Sequence, residues 1–323
     1  MPLTLTVAGN RHRLGSTGAP VVSRPAAGRR GFVSPPAVRI LIASLLLALT
    51  AACAAPPNLA SPSASSAPTG TDASTRTPGR TPTVTRTPSP TPPGCLAAPG
   101  EIRTGELDDP ALSRPLPYRV FLPGCYDEQP GSRFPTLYLL HGLQATDAQW
   151  DDLGVDEAAA RLIAAGEIPP LIIVMPWERR GLEYEPAIAD VLVPWIDRSF
   201  RTLPTPAARA IGGLSRGAGW ALRIALLHRQ LFTAVGLHSP AVLSPDLFNI
   251  PFWLEGLSPE ESPRFWIDIG DRDPLRPPTL ELLAIFDQVG ISYDWHPYPG
   301  YHAPDYWSSH LEEYLVWYSL GWD

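Results

Sequence analysis

The residues that could do chemistry begin with Ser215, which stands between Gly213 and Gly217 in the stretch GGLSRGAGWALR (212–223). A G-x-S-x-G frame at a strand–turn–helix junction is typical of a nucleophilic serine. The run ARAIGG before this serine predicts a strand, and GAGWALRIALLHR after it predicts a helix. Ser215 is therefore the candidate nucleophile. The alternative is a serine that only occupies a glycine-rich turn. The presence of a base and an acid that could act with Ser215 distinguishes the two interpretations.

A serine nucleophile needs a base that accepts its proton, and His302 is the predicted one. His302 lies in YPGYHAPDYW, a loop bounded by Gly and Pro between the last predicted strand and the last predicted helix. A loop of this kind can place an imidazole over the serine. The other histidines after Ser215 fall within predicted helices or in or at the ends of strands: His228, His238, His296 and His310.

The base in turn needs a carboxylate that orients it, and for this turn the chain order is serine, acid, histidine. The stretch WIDIGDRDPL offers three aspartates. Asp268 lies within the strand and is interpreted as structural. Asp273 lies clear of the strand end and is the predicted acid, with the turn-forming Asp271 as its main competitor.

Acyl transfer also needs backbone N–H donors for the oxyanion. One is expected from Arg216, the residue after the nucleophile. The second is expected from Leu143, because in YLLHGLQATDAQW (138–150) a strand ends at His141-Gly142 and the chain turns. His141 itself is interpreted as a residue that hydrogen-bonds this loop rather than one that takes part in catalysis.

The elements that must position these residues are short apolar runs that alternate with helical patterns. Several runs are continuously apolar, as in strands covered on both faces. The predicted strands are 118–123, 136–142, 171–176, 209–213, 234–239, 265–270 and 292–298. The predicted helices are 156–167, 188–200, 218–229, 280–290 and 305–319. This alternation predicts an α/β three-layer sandwich with a mainly parallel sheet.

Residues 105–320 resemble the esterase D family of α/β-hydrolases, which includes feruloyl and acetylxylan esterases, S-formylglutathione hydrolase and the mycolyltransferase antigens. The resemblance lies in 118–150, 198–242, GDRDPL (270–275) and GYHAPDYW (300–307). It implies an α/β-hydrolase fold and a serine esterase. The site residues that it implies are the nucleophile Ser215, the acid Asp273, the base His302 and the oxyanion donors Leu143 and Arg216.

Two features differ from the family pattern. Many members carry Met-Gly-Gly after the serine, whereas this chain has Arg216-Gly217-Ala218, which places a guanidinium near the substrate. The segment 244–265 is expected to be a loop in the region where members vary most. Both features bear on the choice of substrate.

The first 94 residues predict export. Thirteen mostly apolar residues (40–52) after Arg39 are too few to span a membrane and are typical of a signal peptide. Residues 1–53 end in LTAAC, which resembles a lipobox and predicts lipidation of Cys53; a secretory signal cut near Ala55 is the alternative. Residues 54–94 are rich in Pro, Thr and Ser and predict a disordered linker.

Residues 95–323 are then the esterase domain, located outside the cytoplasm. In that oxidising setting Cys95 and Cys125 are expected to form a disulfide, with two free thiols as the alternative. The domain has 16 Arg and no Lys against 31 carboxylates, a net charge of −15, which argues against nucleic acid as a partner.

The sequence contains no H-E-x-x-H motif and no Cys/His cluster, so no metal and no cofactor are predicted. Four tryptophans neighbour the proposed site in sequence and could stack on a sugar or a phenolic acyl group, although burial in the core is the commoner use: Trp150, Trp220, Trp253 and Trp307. The predicted function is hydrolysis of extracellular esters, including acylated carbohydrate. An acyltransferase and a non-catalytic glycan- or partner-binding lipoprotein are the alternatives.

Overall fold

The computed structural model describes residues 94–257 and 261–322. The predicted signal peptide, Cys53 and almost all of the predicted linker lie outside the described residues, so the interpretations of that segment stay predictions. Among the described helices, none combines the length and the apolar character needed to cross a membrane.

Eight strands of the described chain form one sheet, in the order β1-β2-β4-β3-β5-β6-β7-β8. Strands β3 to β8 run parallel, whereas β1 and β2 are antiparallel to their neighbours. The strands are β1 Glu101–Leu107, β2 Leu116–Leu122, β3 Thr136–Leu140, β4 Ile172–Pro176, β5 Arg209–Leu214, β6 Ala234–His238, β7 Arg264–Gly270 and β8 Asp294–Tyr298.

Helices connect the parallel strands. They are α1 Gln149–Asp152, α2 Val155–Ala165, α3 Tyr184–Pro186, α4 Val193–Ser199, α5 Arg216–Leu227, α6 Asp246–Leu254, α7 Arg276–Val289, α8 Pro304–Ser309 and α9 Leu311–Tyr318. A π-helical segment, Ala187–Leu192, joins α3 to α4. Short 3-10 turns cover Gly94–Ala97 and Pro206–Ala208.

Apolar side chains fill the space on both faces of the sheet. One core includes Ile196 of α4, Leu222 of α5 and Leu282 of α7. The opposite core includes Leu162 of α2 and Leu315 of α9. Every residue of β3, β4, β5 and β6 is buried, which explains why these strands are mostly apolar in the sequence. The predicted α/β three-layer sandwich with a mainly parallel sheet is confirmed.

Several elements differ from the sequence prediction. Helices α1 and α3 were not predicted, and the predicted helix 188–200 begins with the π-helical segment. Strand β1 was not expected, because EIRTGEL is polar; it forms the edge of the sheet and only Leu107 is buried. The expected loop 244–265 contains α6, which buries Ile250 and Leu254. The expected helix 305–319 is interrupted at His310, which ends α8 and precedes α9.

The cysteines and the strand ends complete the frame of the site. A disulfide joins Cys95 to Cys125, with their Cα atoms 5.0 Å apart, and thereby ties the 3-10 turn Gly94–Ala97 to the segment after β2. The parallel strands β3, β5, β7 and β8 all end at one edge of the sheet. Loops at that edge are where open α/β sheets bind ligands.

Candidate active site

Ser215 lies on a sharp turn between β5 and α5. Its φ of 55° and ψ of −119° are strained for a residue with a side chain, and such strain is typical of functional turns. A Cβ on Gly213 would lie 2.5 Å from the carbonyl oxygen of Gly217. A Cβ on Gly217 would lie 2.5 Å from the carbonyl carbon of Leu140. Both glycines of the motif are therefore required by close backbone contacts.

His302 lies between the serine and the acid. Its Nε2 is 2.9 Å from Oγ of Ser215, and its Nδ1 is 2.8 Å from Oδ2 of Asp273. The ring packs edge-on against Trp307, with ring centroids 5.0 Å apart. With a neutral imidazole, the Ser215 hydroxyl donates to Nε2 while Nδ1–H donates to the carboxylate. This is the arrangement of a nucleophile, a base and an orienting acid.

Asp273 is held in place by its own loop. The side chain of Asp273 is buried, and Oδ1 accepts a hydrogen bond from the N–H of Leu275 at 2.8 Å. The competing Asp271 instead accepts from the N–H of Gly300 at 2.9 Å, and this bond lowers the pKa of Asp271. Asp271 thus ties the loop after β7 to the loop that carries His302, while Asp273 contacts the imidazole.

The two expected oxyanion donors lie on neighbouring segments, the start of α5 and the turn after β3. Arg216 is the first residue of α5, where a backbone N–H has no acceptor within the helix. The turn before Leu143 lies beside the nucleophile, because a Cβ on Gly142 would lie 3.5 Å from Cβ of Ser215. The N–H of Gly142 donates to Oε1 of Gln149 at 2.7 Å. Gln149, which the sequence did not single out, fixes this turn.

His141 is buried beneath the same turn. Its Nδ1 donates to the carbonyl of Gly142 at 2.7 Å, and its Nε2 accepts from the N–H of Glu178 at 2.8 Å. The second bond requires an unprotonated Nε2, and burial lowers the pKa of His141. Neutral His141 therefore joins the loop after β3 to the loop after β4, as a residue that hydrogen-bonds the loops.

The Arg216 side chain, which departs from the family pattern, forms an ion pair with Glu178. Nε lies 3.0 Å from Oε1 and 2.8 Å from Oε2, and the terminal nitrogen lies 2.6 Å from Oε1. These hydrogen bonds raise the pKa of Arg216, so the guanidinium stays charged. The local sequence WERR (177–180) does not indicate that Glu178 pairs with Arg216.

The tryptophans named from the sequence have separate environments. Trp150 and Trp307 are buried, and their indole N–H groups donate to the Leu140 carbonyl and to Oγ of Ser239. Trp253 packs partly buried against the core. Trp220 lines a cleft beside the site, together with Trp177, which was not expected there.

Asp268 is wholly buried and accepts four hydrogen bonds from side chains. Oδ1 accepts from Nδ1 of His238 at 2.6 Å and from the indole of Trp266 at 2.8 Å. Oδ2 accepts from the hydroxyls of Tyr306 at 2.9 Å and Tyr314 at 2.8 Å. Burial and the Asp268 charge raise the pKa of both tyrosines, so they remain donors. Asp268 joins β7 to the helices after His302, which agrees with its interpretation as structural.

The remaining histidines lie away from Ser215. His228 pairs with Glu185, His296 stacks on Trp266, and His310 lies 3.3 Å from Glu313. Within residues 94–257 and 261–322, no group of three or more His, Cys, Asp or Glu side chains is arranged to hold a metal ion.

Comparison with known proteins identifies the family of the chain. The family described as "Putative esterase" matches residues 110–318. An endo-1,4-beta-xylanase/feruloyl esterase of Xylanibacter ruminicola is 29% identical over 161 residues, which are 46% of this chain and 22% of that protein. An esterase of Mycobacterium tuberculosis (strain H37Rv) is 32% identical over 151 residues, 42% of this chain and 31% of that protein. The chain thus spans between a fifth and a third of the length of these relatives.

Among solved structures, a ferulic acid esterase superposes with a TM-score of 0.63 at 25% identity, covering 69% of this chain and 99% of that one. The sheet order, the turn at Ser215 and the match over 110–318 agree with one another. The chain has an α/β-hydrolase fold and belongs to the esterase family.

Proposed function

We propose that this protein hydrolyses carboxylic esters through an acyl-enzyme on Ser215, with His302 as base and Asp273 as the acid that orients it. The observation that carries the proposal is the continuous chain of contacts from Oγ of Ser215 to Nε2 of His302 and from Nδ1 to the buried Asp273 carboxylate. The family match adds the reaction class.

In the first half of the reaction His302 accepts the Ser215 proton as Oγ attacks the ester carbonyl carbon. The carbonyl oxygen becomes an oxyanion, and the backbone N–H groups of Leu143 and Arg216 donate to it. The positive end of α5 adds to this stabilisation. The oxyanion then collapses, His302 gives its proton to the leaving alcohol, and the acyl group stays on Ser215.

In the second half water takes the place of the alcohol. His302 accepts a proton from water as its oxygen attacks the acyl carbon, and the same two N–H groups hold the second oxyanion. Collapse releases the carboxylic acid, and His302 returns the proton to Oγ. The Asp273 carboxylate stabilises the imidazolium that forms in each half.

The substrates we propose are esters outside the cytoplasm, including acylated carbohydrate. The names of two relatives support this class, since one is a xylanase/feruloyl esterase and one a ferulic acid esterase. The four tryptophans named from the sequence offer little support for aromatic stacking. Two of them are buried, and the ring centroid of Trp220 lies 5.5 Å from the Arg216 guanidinium and 5.0 Å from that of Arg223.

We also propose export and lipidation of Cys53, with residues 54–94 as the tether between the membrane and the esterase domain. The disulfide between Cys95 and Cys125 is consistent with an oxidising compartment. In a bacterial host, mass spectrometry of the N-terminal peptide of wild type should find a diacylglyceryl group on Cys53. Cys53→Ala should leave the protein out of the membrane fraction; equal membrane recovery of both would reject the anchor.

The test of the activity is release of p-nitrophenolate from p-nitrophenyl acetate and butyrate by the full chain. Ser215→Ala should lower kcat by about 10⁶-fold, because the nucleophile is lost. Ser308→Ala is the matched control, since Ser308 is an exposed serine of α8, and it should keep the wild-type rate. Equal rates from wild type and Ser215→Ala would reject the proposal.

A further inference from the structure

The cleft beside the site is lined by charged and apolar side chains that have no role in the proposed mechanism. It has a volume of about 810 Å³, and both Leu143 and Arg216 line it. Because the N–H groups of these two residues are the proposed oxyanion donors, the cleft is adjacent to the position of the ester carbonyl. The ligand inferred for this cleft rests on the proposed function, because that ligand is part of the ester that Ser215 attacks.

The charge of the cleft opposes that of the domain around it. Residues 95–323 carry 16 Arg against 31 carboxylates. The residues that line the cleft include three arginines, Arg179, Arg180 and Arg216, and one carboxylate, Glu178. The lining is therefore net positive within an acidic domain, and a low-dielectric cleft of one sign concentrates ligands of the opposite sign.

The three arginines differ in how far their charge is already neutralised. Arg216 is bound by Glu178, whose side chain is only 16% exposed. Arg179 reaches Oε2 of the exposed Glu106 at 3.4 Å, a separation at which solvent leaves little pairing. Arg180 is exposed, and among the described residues no carboxylate lies within ion-pair distance of it. Arg180 is thus the cation that a ligand can pair with.

The rest of the lining is mixed, with polar Gln144 and Thr146 beside a group of large apolar side chains. Leu143 is 67% exposed, and Trp177, Trp220 and Leu182 complete this group. A ligand that complements both the arginines and the apolar side chains carries an apolar portion and an anionic end. Since the Glu178 carboxylate belongs to the lining, a dianion is repelled more strongly than a monoanion.

We propose that the cleft binds the part of the ester that carries a carboxylate, with Arg180 as its ion-pairing partner, so that the preferred substrates are esters with a free carboxylate. Arginine suits this task because its planar guanidinium donates two parallel hydrogen bonds to a carboxylate. Arg180 is then a specificity-determining residue of the esterase.

Two matched ester pairs test the proposal, because the carboxylate can lie in the acyl or in the alcohol portion. The first pair is mono-p-nitrophenyl succinate and its methyl ester, followed by p-nitrophenolate release. The second is 4-acetoxybenzoate and its methyl ester, followed by release of acetate. In at least one pair wild type should favour the carboxylate ester about tenfold in kcat/KM. This preference should weaken with added salt.

Arg180→Ala should reduce that preference ratio about tenfold, and Arg180→Lys should restore part of it. The matched control is Arg198→Ala, because Arg198 is an exposed arginine of α4 that does not line the cleft. It should keep the wild-type ratio. Preference for the neutral ester in both pairs, or an Arg180→Ala ratio equal to that of wild type, would overturn the proposal.

A binding measurement separates this proposal from the proposed function. Calorimetric titration of Ser215→Ala with each ester needs no turnover. The carboxylate ester of one pair should bind about tenfold more tightly than its methyl ester, and the Ser215→Ala/Arg180→Ala double variant should lose the difference. Hydrolysis without any such difference would sustain the esterase and reject the subsite. Tighter binding of the carboxylate ester without hydrolysis of any ester would sustain the subsite and reject the proposed esterase activity.

Discussion

The backbone of Leu140, the last residue of β3, lies where a side chain on Gly217 would begin. The carbonyl carbon of Leu140 is 2.5 Å from the position of that Cβ. This contact presses the first turn of α5 against β3 and brings Ser215 beside the turn that carries Leu143. The glycine of the motif is therefore a packing requirement of the site.

The first prediction concerns this contact. Gly217→Ala should lower the free energy of unfolding by about 1–3 kcal/mol and reduce kcat, because the backbone of α5 must move away from β3. Urea denaturation and p-nitrophenyl ester hydrolysis measure the two effects. Gly131→Ala is the matched control, since a Cβ on Gly131 meets no atom within 4 Å. Equal stability of the two variants would contradict the packing argument.

The second prediction separates the neighbouring aspartates after β7. Asp273→Asn should lower kcat by about 10⁴-fold, because an amide does not hold the imidazole in the productive tautomer. Asp271→Asn should stay within about threefold of wild type, since the asparagine oxygen still accepts the bond from Gly300 N–H. Steady-state kinetics on one p-nitrophenyl ester decides between them. A larger loss in Asp271→Asn would make Asp271 the acid.

The third prediction is a pH dependence of stability that arises from His141. Its folded pKa is lowered by burial, so the unfolded chain binds more protons between that value and the unfolded pKa of about 6.5. The stabilisation is complete above about pH 6.5 and is lost as the pH falls towards the folded pKa. Wild type should therefore lose more stability than His141→Gln between pH 7 and 5. Parallel losses in denaturation experiments would show that His141 does not titrate in this way.

The fourth prediction concerns the buried Asp268. Asp268→Asn should lower the free energy of unfolding by about 3 kcal/mol, because an amide NH₂ replaces an oxygen that accepts hydrogen bonds. Tyr314→Phe removes one donor alone and should cost about 1 kcal/mol. Denaturant titration of both variants checks the order. A loss from Tyr314→Phe as large as that from Asp268→Asn would mean that the carboxylate is not the centre of this cluster.

The fifth prediction concerns the disulfide between Cys95 and Cys125, which are separated by 30 positions. The double variant Cys95→Ala/Cys125→Ala should be less stable than wild type by about 2–4 kcal/mol. A reducing agent should lower the thermal midpoint of wild type and leave that of the variant unchanged. A midpoint of wild type that does not respond to reduction would indicate that this bond contributes nothing to stability.

The sequence was sufficient for the fold because the buried strands carry their pattern in their own residues. Runs such as LIIVMP are apolar throughout, and Ser215, Asp273 and His302 each follow a strand of the same parallel sheet. Loops at the carboxyl ends of parallel strands share an edge, so strand order along the chain already predicted which side chains could meet.

Other features depend on contacts between segments that are distant in the sequence. Strand β1 lies at the sheet edge, and only one of its residues is buried. Its residues are therefore mostly polar and lack the apolar–polar alternation that predicts a strand. Helix α6 contains Pro251, a residue that is unfavourable inside a helix, so its sequence is not typical of one. The ion pair of Glu178 with Arg216 joins the loops after β4 and β5, and no local pattern indicates which carboxylate reaches the guanidinium.

In the proposed mechanism Oγ of Ser215 carries the acyl group. The most direct measurement is intact-protein and peptide mass spectrometry after acid quenching during turnover of p-nitrophenyl butyrate. We expect a butyryl group on the peptide that contains Ser215 in wild type and none in Ser215→Ala. Turnover with no acyl group on Ser215, or the same modification in Ser215→Ala, would contradict the proposed acyl-enzyme on Ser215.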